Sequence, residues 1–171
     1  MKRPVGLGRG MATLIPNDII WSGNLWDIPV VYAISAAQAG DKETIRRLAG
    51  ATLDSTLRDR DAIIPIDSAE VRAFTQDSDS VVVGFGSATG QASATVAAET
   101  ALSAQLMTET IATAQSVILA IQGGSNLGLP DIQAITNVVQ ERTTPTANLI
   151  IGVAKSDSLN DEIRVTILAA K

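Results

Sequence analysis

From Asp41 to Arg58, the apolar residues Ile45, Leu48, Ala49, Leu53 and Leu57 recur at helical spacing, while Lys42, Glu43, Arg46, Arg47 and Arg58 lie elsewhere. This pattern predicts an amphipathic helix of about five turns at ~3.6 residues each. A short apolar run, Ala62 to Ile66, follows, and Asp67 or Ser68 stands where a side-chain oxygen can cap a short helix reaching Phe74. Ser80 to Phe85 (SVVVGF) is short and β-branched, as a buried strand is, and Gly86 to Gly90 read as the turn after it. The Ala-rich, Gly-free stretch from Ala92 to Thr113 predicts one long helix that packs through Val96, Ala97, Ala101, Leu102 and Leu106. Val117 to Ile121 is the next strand, stopped by Gly123 and Gly124. Pro130 suits a first helical position, with Ile132, Ile135, Val138 and Val139 as the buried stripe of the helix that follows.

Two strands close the chain, Asn148 to Ala154 and Glu162 to Ala170, and the polar turn SDSLND between them predicts a hairpin. In the last strand Ile163, Val165 and Ile167 point one way and Arg164 and Thr166 the other, so one sheet face there is expected to be wet or covered by a partner. Alternating helices and strands predict an α+β fold, a two-layer α/β sandwich. Its mixed, mainly four-stranded sheet carries helices on one face and is preceded by the long helix.

Composition narrows the chemistry. The 171 residues are 46% apolar but only 3% aromatic, so the core must be built from Ala, Val, Ile and Leu, which suits helices lying close on a sheet. With no Cys and no His, thiol chemistry, zinc sites and imidazole acid–base catalysis are excluded. A formal charge of −5 argues against a nucleic-acid partner, which would require a basic surface. No apolar run approaches the ~20 residues of a membrane span. The expected setting is cytoplasmic, without a membrane partner. Residues 1–12, with Lys2, Arg3 and Arg9, read as a basic Gly-rich tail.

Two motifs invite a chemical reading. Gly84, Gly86 and Gly90 lie between strand and helix, where free N–H groups could cradle a phosphate. Their spacing lacks the third Gly of a dinucleotide fingerprint, and no Lys-Ser/Thr follows, so a plain turn is favoured. Asp67 and Glu70 in AIIPIDSAEVR, three apart at a helix start, share a face. They could order an attacking water or hold a cation. Ordinary helix capping explains the same spacing and is favoured from periodicity alone.

A family resemblance changes that weighing. AIIPIDSAEVR resembles the GLINVDFADVR loop of FtsZ-like proteins, the tubulin-like division GTPases. GFGSATGQASATVAAETAL is similar to their GTGRASGEDRAEEAA stretch, and IQGGSNLGLPDIQ to ITGGPDLTLEEV. The closing segment ANLIIGVAKSDSLNDEIRVTILAA resembles that family's closing β-hairpin, and TLIPNDI at Thr13 to Ile19 resembles TLIVIPNDRL. The resemblance covers Thr13 to Ala170, densest after Ala62. It implies a remnant of the nucleotide domain and central helix at 13–61 and an FtsZ C-terminal-like domain at 62–171.

In that family the acidic loop enters the nucleotide pocket of the next subunit and positions the water that attacks GTP. The resemblance therefore assigns Asp67 and Glu70 as catalytic-loop residues, with Pro65, Asp67, Glu70 and Arg72 as the partner-binding set. Asn17 takes the place of a guanine-contacting Asn, and Asp41 falls near that of the guanine-reading Asp. Pro65 stands where the family has a catalytic Asn, and it has neither the side-chain amide nor an N–H. Glu70 in place of Asp moves the carboxylate by about one C–C bond, ~1.5 Å. Such a loop docks yet activates weakly, since positioning dominates phosphoryl transfer.

No GGGTGTG phosphate loop occurs in the chain, nor the family's adaptor-binding tail. Trp21 to Tyr32 has no counterpart in the family pattern; it reads as packing or as a partner patch. The expectation is a chain that is not an enzyme by itself and holds no metal and no cofactor alone, with GTP only in a partner subunit. Its partners would be FtsZ-type GTPase subunits, whose filaments it would modulate or cap, or further copies of itself. The alternatives are half of a split tubulin-like GTPase completed by a separate nucleotide-binding chain, and a C-terminal domain reused as a self-assembling module.

Overall fold

A computed structural model of the chain describes residues 32–35, 62–76, 78, 80–103 and 105–171. The predicted helix from Asp41 to Arg58, the 1–12 tail, the tryptophans at 21 and 26, Asn17 and Asp41 all lie outside the described residues. The elements run β1 (Tyr32–Ser35), β2 (Ala62–Ile64), α1 (Ser68–Gln76), β3 (Ser80–Ala88), α2 (Ser93–Leu102) and α3 (Gln105–Ile111). They continue with β4 (Ser116–Gly123), α4 (Leu129–Gln140), β5 (Asn148–Lys155), a 3-10 turn (Asp157–Leu159) and β6 (Ile163–Ala170).

The fold is the expected α+β arrangement on a mixed sheet, but helices lie on both faces of the sheet rather than on one. Its four long strands stand together in the middle, and the short β1 and β2 extend the two edges to give the order β1-β3-β6-β4-β5-β2. Among the described residues only β4 and β5 run parallel, and every other neighbouring pair is antiparallel. On one face, α2, α3 and α4 bury Ala97, Ala98, Ala101, Met107, Ile111, Ile135 and Val139 against Val117, Leu119 and Ile121 of β4 and Val165 and Ile167 of β6. The buried surface of α2 is mostly alanine (Ala94, Ala97, Ala98, Ala101), so its backbone and the sheet lie close together.

The opposite face is covered as well. Val71 and Phe74, three apart on α1, join Ile66 over Val81, Val83 and Phe85 of β3, Ile118 of β4 and Leu168 of β6. Thr166, predicted to point to a wet or partner-covered face, is 2% exposed beside this second cluster.

The two closing strands do not form a hairpin. β6 lies between β3 and β4, with Val83 and Ile118 both registered on Leu168, and β5 lies on the far side of β4. The reason is in the side chains of β6: all but Arg164 are buried, so the strand needs a neighbour on both edges. The SDSLND segment carries the chain over the end of β4, where the Ser156 N–H donates to the Gly123 carbonyl at 2.9 Å.

The helix predicted from Ala92 to Thr113 is two helices, and hydroxyls make the break. The Ser103 N–H (3.2 Å) and Oγ–H (2.8 Å) both donate to the Thr100 carbonyl, and Thr108 Oγ1 donates to the Leu102 carbonyl at 2.9 Å. These side chains take carbonyls that a continuing helix would have bonded through its own N–H groups.

Candidate functional site

The segment from Ala62 to Gln76 is built by alternating anchors and exposed groups. β2 pairs with the end of β5, Ala62 opposite Ala154 and Ile64 opposite Val153, with an irregularity between them. Pro65 has no N–H with which to continue the ladder, and the strand ends there. Ile66 then turns inward to 2% exposure, and Asp67 turns out again.

Asp67 is the N-cap of α1. Its Oδ1 accepts the Ala69 N–H at 3.1 Å, its carbonyl accepts the Val71 N–H at 3.1 Å, and its own N–H donates to Glu70 Oε2 at 2.9 Å. This is a capping box, closed by Ile66 and Val71, which flank it and meet in the same core cluster as a hydrophobic staple. The capping is thus made by the same two residues that the resemblance marks as the acidic pair. Pro65, Asp67 and Glu70 are all exposed, and the backbone of Arg72 follows within α1. The structure therefore brings Pro65, Asp67, Glu70 and Arg72 together on one loop and helix start.

A carboxylate accepts hydrogen bonds at several lone pairs, so a capping carboxylate can still accept a proton donor from outside. Among the described residues no three acidic groups converge as metal ligands.

The glycine motif has a different use. Gly84 and Gly86 are not in a turn but inside β3, which runs on to Ala88; the turn begins beyond it, with Gly90 at φ 80° and Ala92 at φ 63°. A methyl group on Gly86 would run into the Ala97 carbonyl oxygen, and one on Gly84 into that of Ala101. These glycines let α2 lie on the sheet.

Sequence reasoning passed over three exposed apolar side chains. Leu129 is 76% exposed at the first position of α4, and Ile63 and Ile64 are 54% and 43% exposed on β2. Leu129 follows the end of β4, and β2 sits beside the end of the parallel β5, so all three lie toward one end of the sheet. The available signal was position: Leu129 precedes Pro130 and lies outside the stripe of Ile132, Ile135 and Val139.

The architecture is shared with solved FtsZ and TubZ structures. The chain superimposes on an FtsZ dimer structure from M. jannaschii with a TM-score of 0.63 and 22% identity, covering 95% of this chain and 43% of that one. For a point mutant of the same FtsZ the TM-score is 0.62 and the identity 23%, over 80% of this chain and 40% of that one. TubZ in GDP-form protofilaments from Bacillus thuringiensis serovar israelensis gives 0.51 and 14%, over 72% and 36%. The chain thus spans about two fifths of the length of the solved proteins it matches. Residues 80–171, more than half the chain, match the model of the FtsZ family C-terminal domain, and the chain belongs to the FtsZ family.

Proposed function

We propose that this chain acts as a docking module for FtsZ-type subunits: it offers the 62–72 segment to the nucleotide face of a neighbouring subunit and so modulates or caps its filaments. The observation that carries this reading is the capping box. It fixes Asp67 and Glu70 at the surface between two buried anchors, Ile66 and Val71, so the acidic pair is held ready without a folding step on contact. The exposed Ile63 and Ile64, on β2 just before the acidic pair, supply apolar area next to it in the chain.

Catalysis by this module is weak on the same reading. Pro65 brings no donor to the pocket, and both carboxylates are already engaged in starting α1. On this reading GTP is held by the partner subunit. A heterologous filament grows only while each subunit presents both complementary faces. A subunit with the acidic loop and no nucleotide pocket ends the row it joins.

The test is titration of the purified chain into full-length FtsZ, with GTP turnover and light scattering followed together. Substoichiometric chain is expected to lower both. No change in either at excess chain overturns the proposal.

A further inference from the structure

β1 reaches the sheet from far away along the chain. Residues 36–79 separate it from β3, yet the two pair antiparallel, with Tyr32 opposite Val83, Ala33 opposite Val82, Ile34 opposite Val81 and Ser35 opposite Ser80. The strand it meets is of the kind that recruits other strands. Ser80 to Val83 (SVVV) is β-branched at three successive positions and carries no charge and no proline. Both faces of this stretch are already covered: Val82 packs in the helix-side cluster, Val81 and Val83 in the α1-side cluster, and none of the three is more than 4% exposed. One hydrogen-bonding edge is taken as well, by Leu168, Ala169 and Ala170 of β6. The other edge, a row of N–H and C=O groups, is where β1 lies.

We propose that β1 is an intramolecular guard: it occupies the β3 edge over Ser80 to Val83 and keeps that edge from pairing with the same edge of another copy. The length of β1 fits the role. Its four residues match Ser80 to Val83 position for position, and a strand so short is a poor template for a further one. In the purified chain the strand able to replace β1 comes from another copy. Antiparallel pairing centred on Val82 then sets Val81 opposite Val83, valine against valine on one face. The guard is held by main-chain hydrogen bonds, so proline tests it without altering a charge. Hydrogen-bonded and non-hydrogen-bonded pairs alternate along an antiparallel ladder, so one of Ala33 and Ile34 donates its N–H to β3, and proline has none to give.

The test is the double variant Ala33→Pro/Ile34→Pro of the whole chain, with no FtsZ present, so its failure leaves the docking proposal standing. In dilute solution, amide deuterium exchange at Ser80 to Val83 is expected to rise about tenfold or more over the wild type, while Val117 to Ile121 in β4 keep their protection. Sedimentation velocity over a concentration series is expected to show the variant associating where the wild type does not, with exchange at 80–83 slowing again as it does so. Unchanged exchange at 80–83 overturns the proposal, because β1 then guards nothing. So does a variant with fast exchange there that associates no more than the wild type, or one that associates while 80–83 stay fast. Lost protection at Val117 to Ile121 also overturns it, since β1 would then support the core rather than cover an edge.

Discussion

The N–H of Asp67 donates to Glu70 Oε2 at 2.9 Å, so the two acidic residues that the family resemblance marks for catalysis are tied to each other by the start of α1. Stability and docking can be separated here, because Asn caps a helix about as well as Asp. Asp67→Ala is expected to cost about 1 kcal/mol in urea unfolding, and Asp67→Asn only a few tenths. If Asp67→Asn nevertheless weakens the effect of the chain on FtsZ filaments, the negative charge itself carries the docking. Equal filament effects for Asp67→Asn and the wild type would assign Asp67 to the helix alone.

Gly86 lies against the Ala97 carbonyl of α2, with the Ala101 N–H group beside it, and the obstacle is backbone rather than a flexible side chain. Gly86→Ala must therefore lift α2 from the sheet, and it is expected to destabilise the fold by roughly 1–3 kcal/mol, as overpacking does. Gly90→Ala meets no neighbouring atom but must hold φ at 80°, and a cost of about 1 kcal/mol is expected. Thermal unfolding of the two variants orders these effects. A Gly86→Ala protein as stable as the wild type would show that α2 is not pressed on β3 as described.

What could be read from the sequence depended on whether a signal was local. The strands of SVVVGF, VILAI and the last segment, the α4 stripe and the cap at Asp67 rest on neighbours a few residues apart, and they stand in the structure. The breaks came where distant partners decide. β5 and β6 follow one another along the chain, yet β6 is drawn between β3 and β4 because nearly all its side chains must be buried. Gly84 and Gly86 looked like a turn because the residues that lie on them, Ala101 and Ala97 of α2, are more than ten positions away. The split between α2 and α3 is a local exception: it rests on Ser103 and Thr108 hydroxyls taking carbonyls three and six residues back, which helix propensity does not see. Only the family resemblance marks Asp67 and Glu70 as a candidate site; composition and spacing left them as a cap, and a cap is what their hydrogen bonds form.

Asp131 plays at α4 the part that Glu70 plays at α1. Its Oδ2 accepts the Gly128 N–H at 2.9 Å, and its charge lies in the first turn of the helix. Gly128 has no side chain to complete the box, so Asp131 carries this helix start by itself. Asp131→Ala is expected to cost about 0.5–1 kcal/mol, and Asp131→Asn, which loses the charge but can keep the bond, roughly half of that. Adding about 1 M salt should shrink the gap between Asp131→Asn and the wild type. A gap that does not respond to salt would place the effect in the hydrogen bond rather than in the helix dipole.

Leu129 is the most direct check on the docking face, because at 76% exposure it makes little contribution to its own fold. Leu129→Ser is expected to change unfolding free energy by no more than about 0.5 kcal/mol. If Leu129 is part of the face presented to a partner, removing it forfeits the apolar area that contact would bury, about 1–2 kcal/mol or roughly a tenfold loss of affinity. Ile63→Ser, on β2 beside the acidic loop, is expected to behave in the same way. Ile63 and Leu129 belong to separate elements, so the double variant should show the sum of the two losses. Titration of these variants into FtsZ, read by light scattering against chain concentration, gives the comparison. Loss in Ile63→Ser with none in Leu129→Ser would confine the face to β2 and the start of α1, while loss in neither would move it off this end of the sheet.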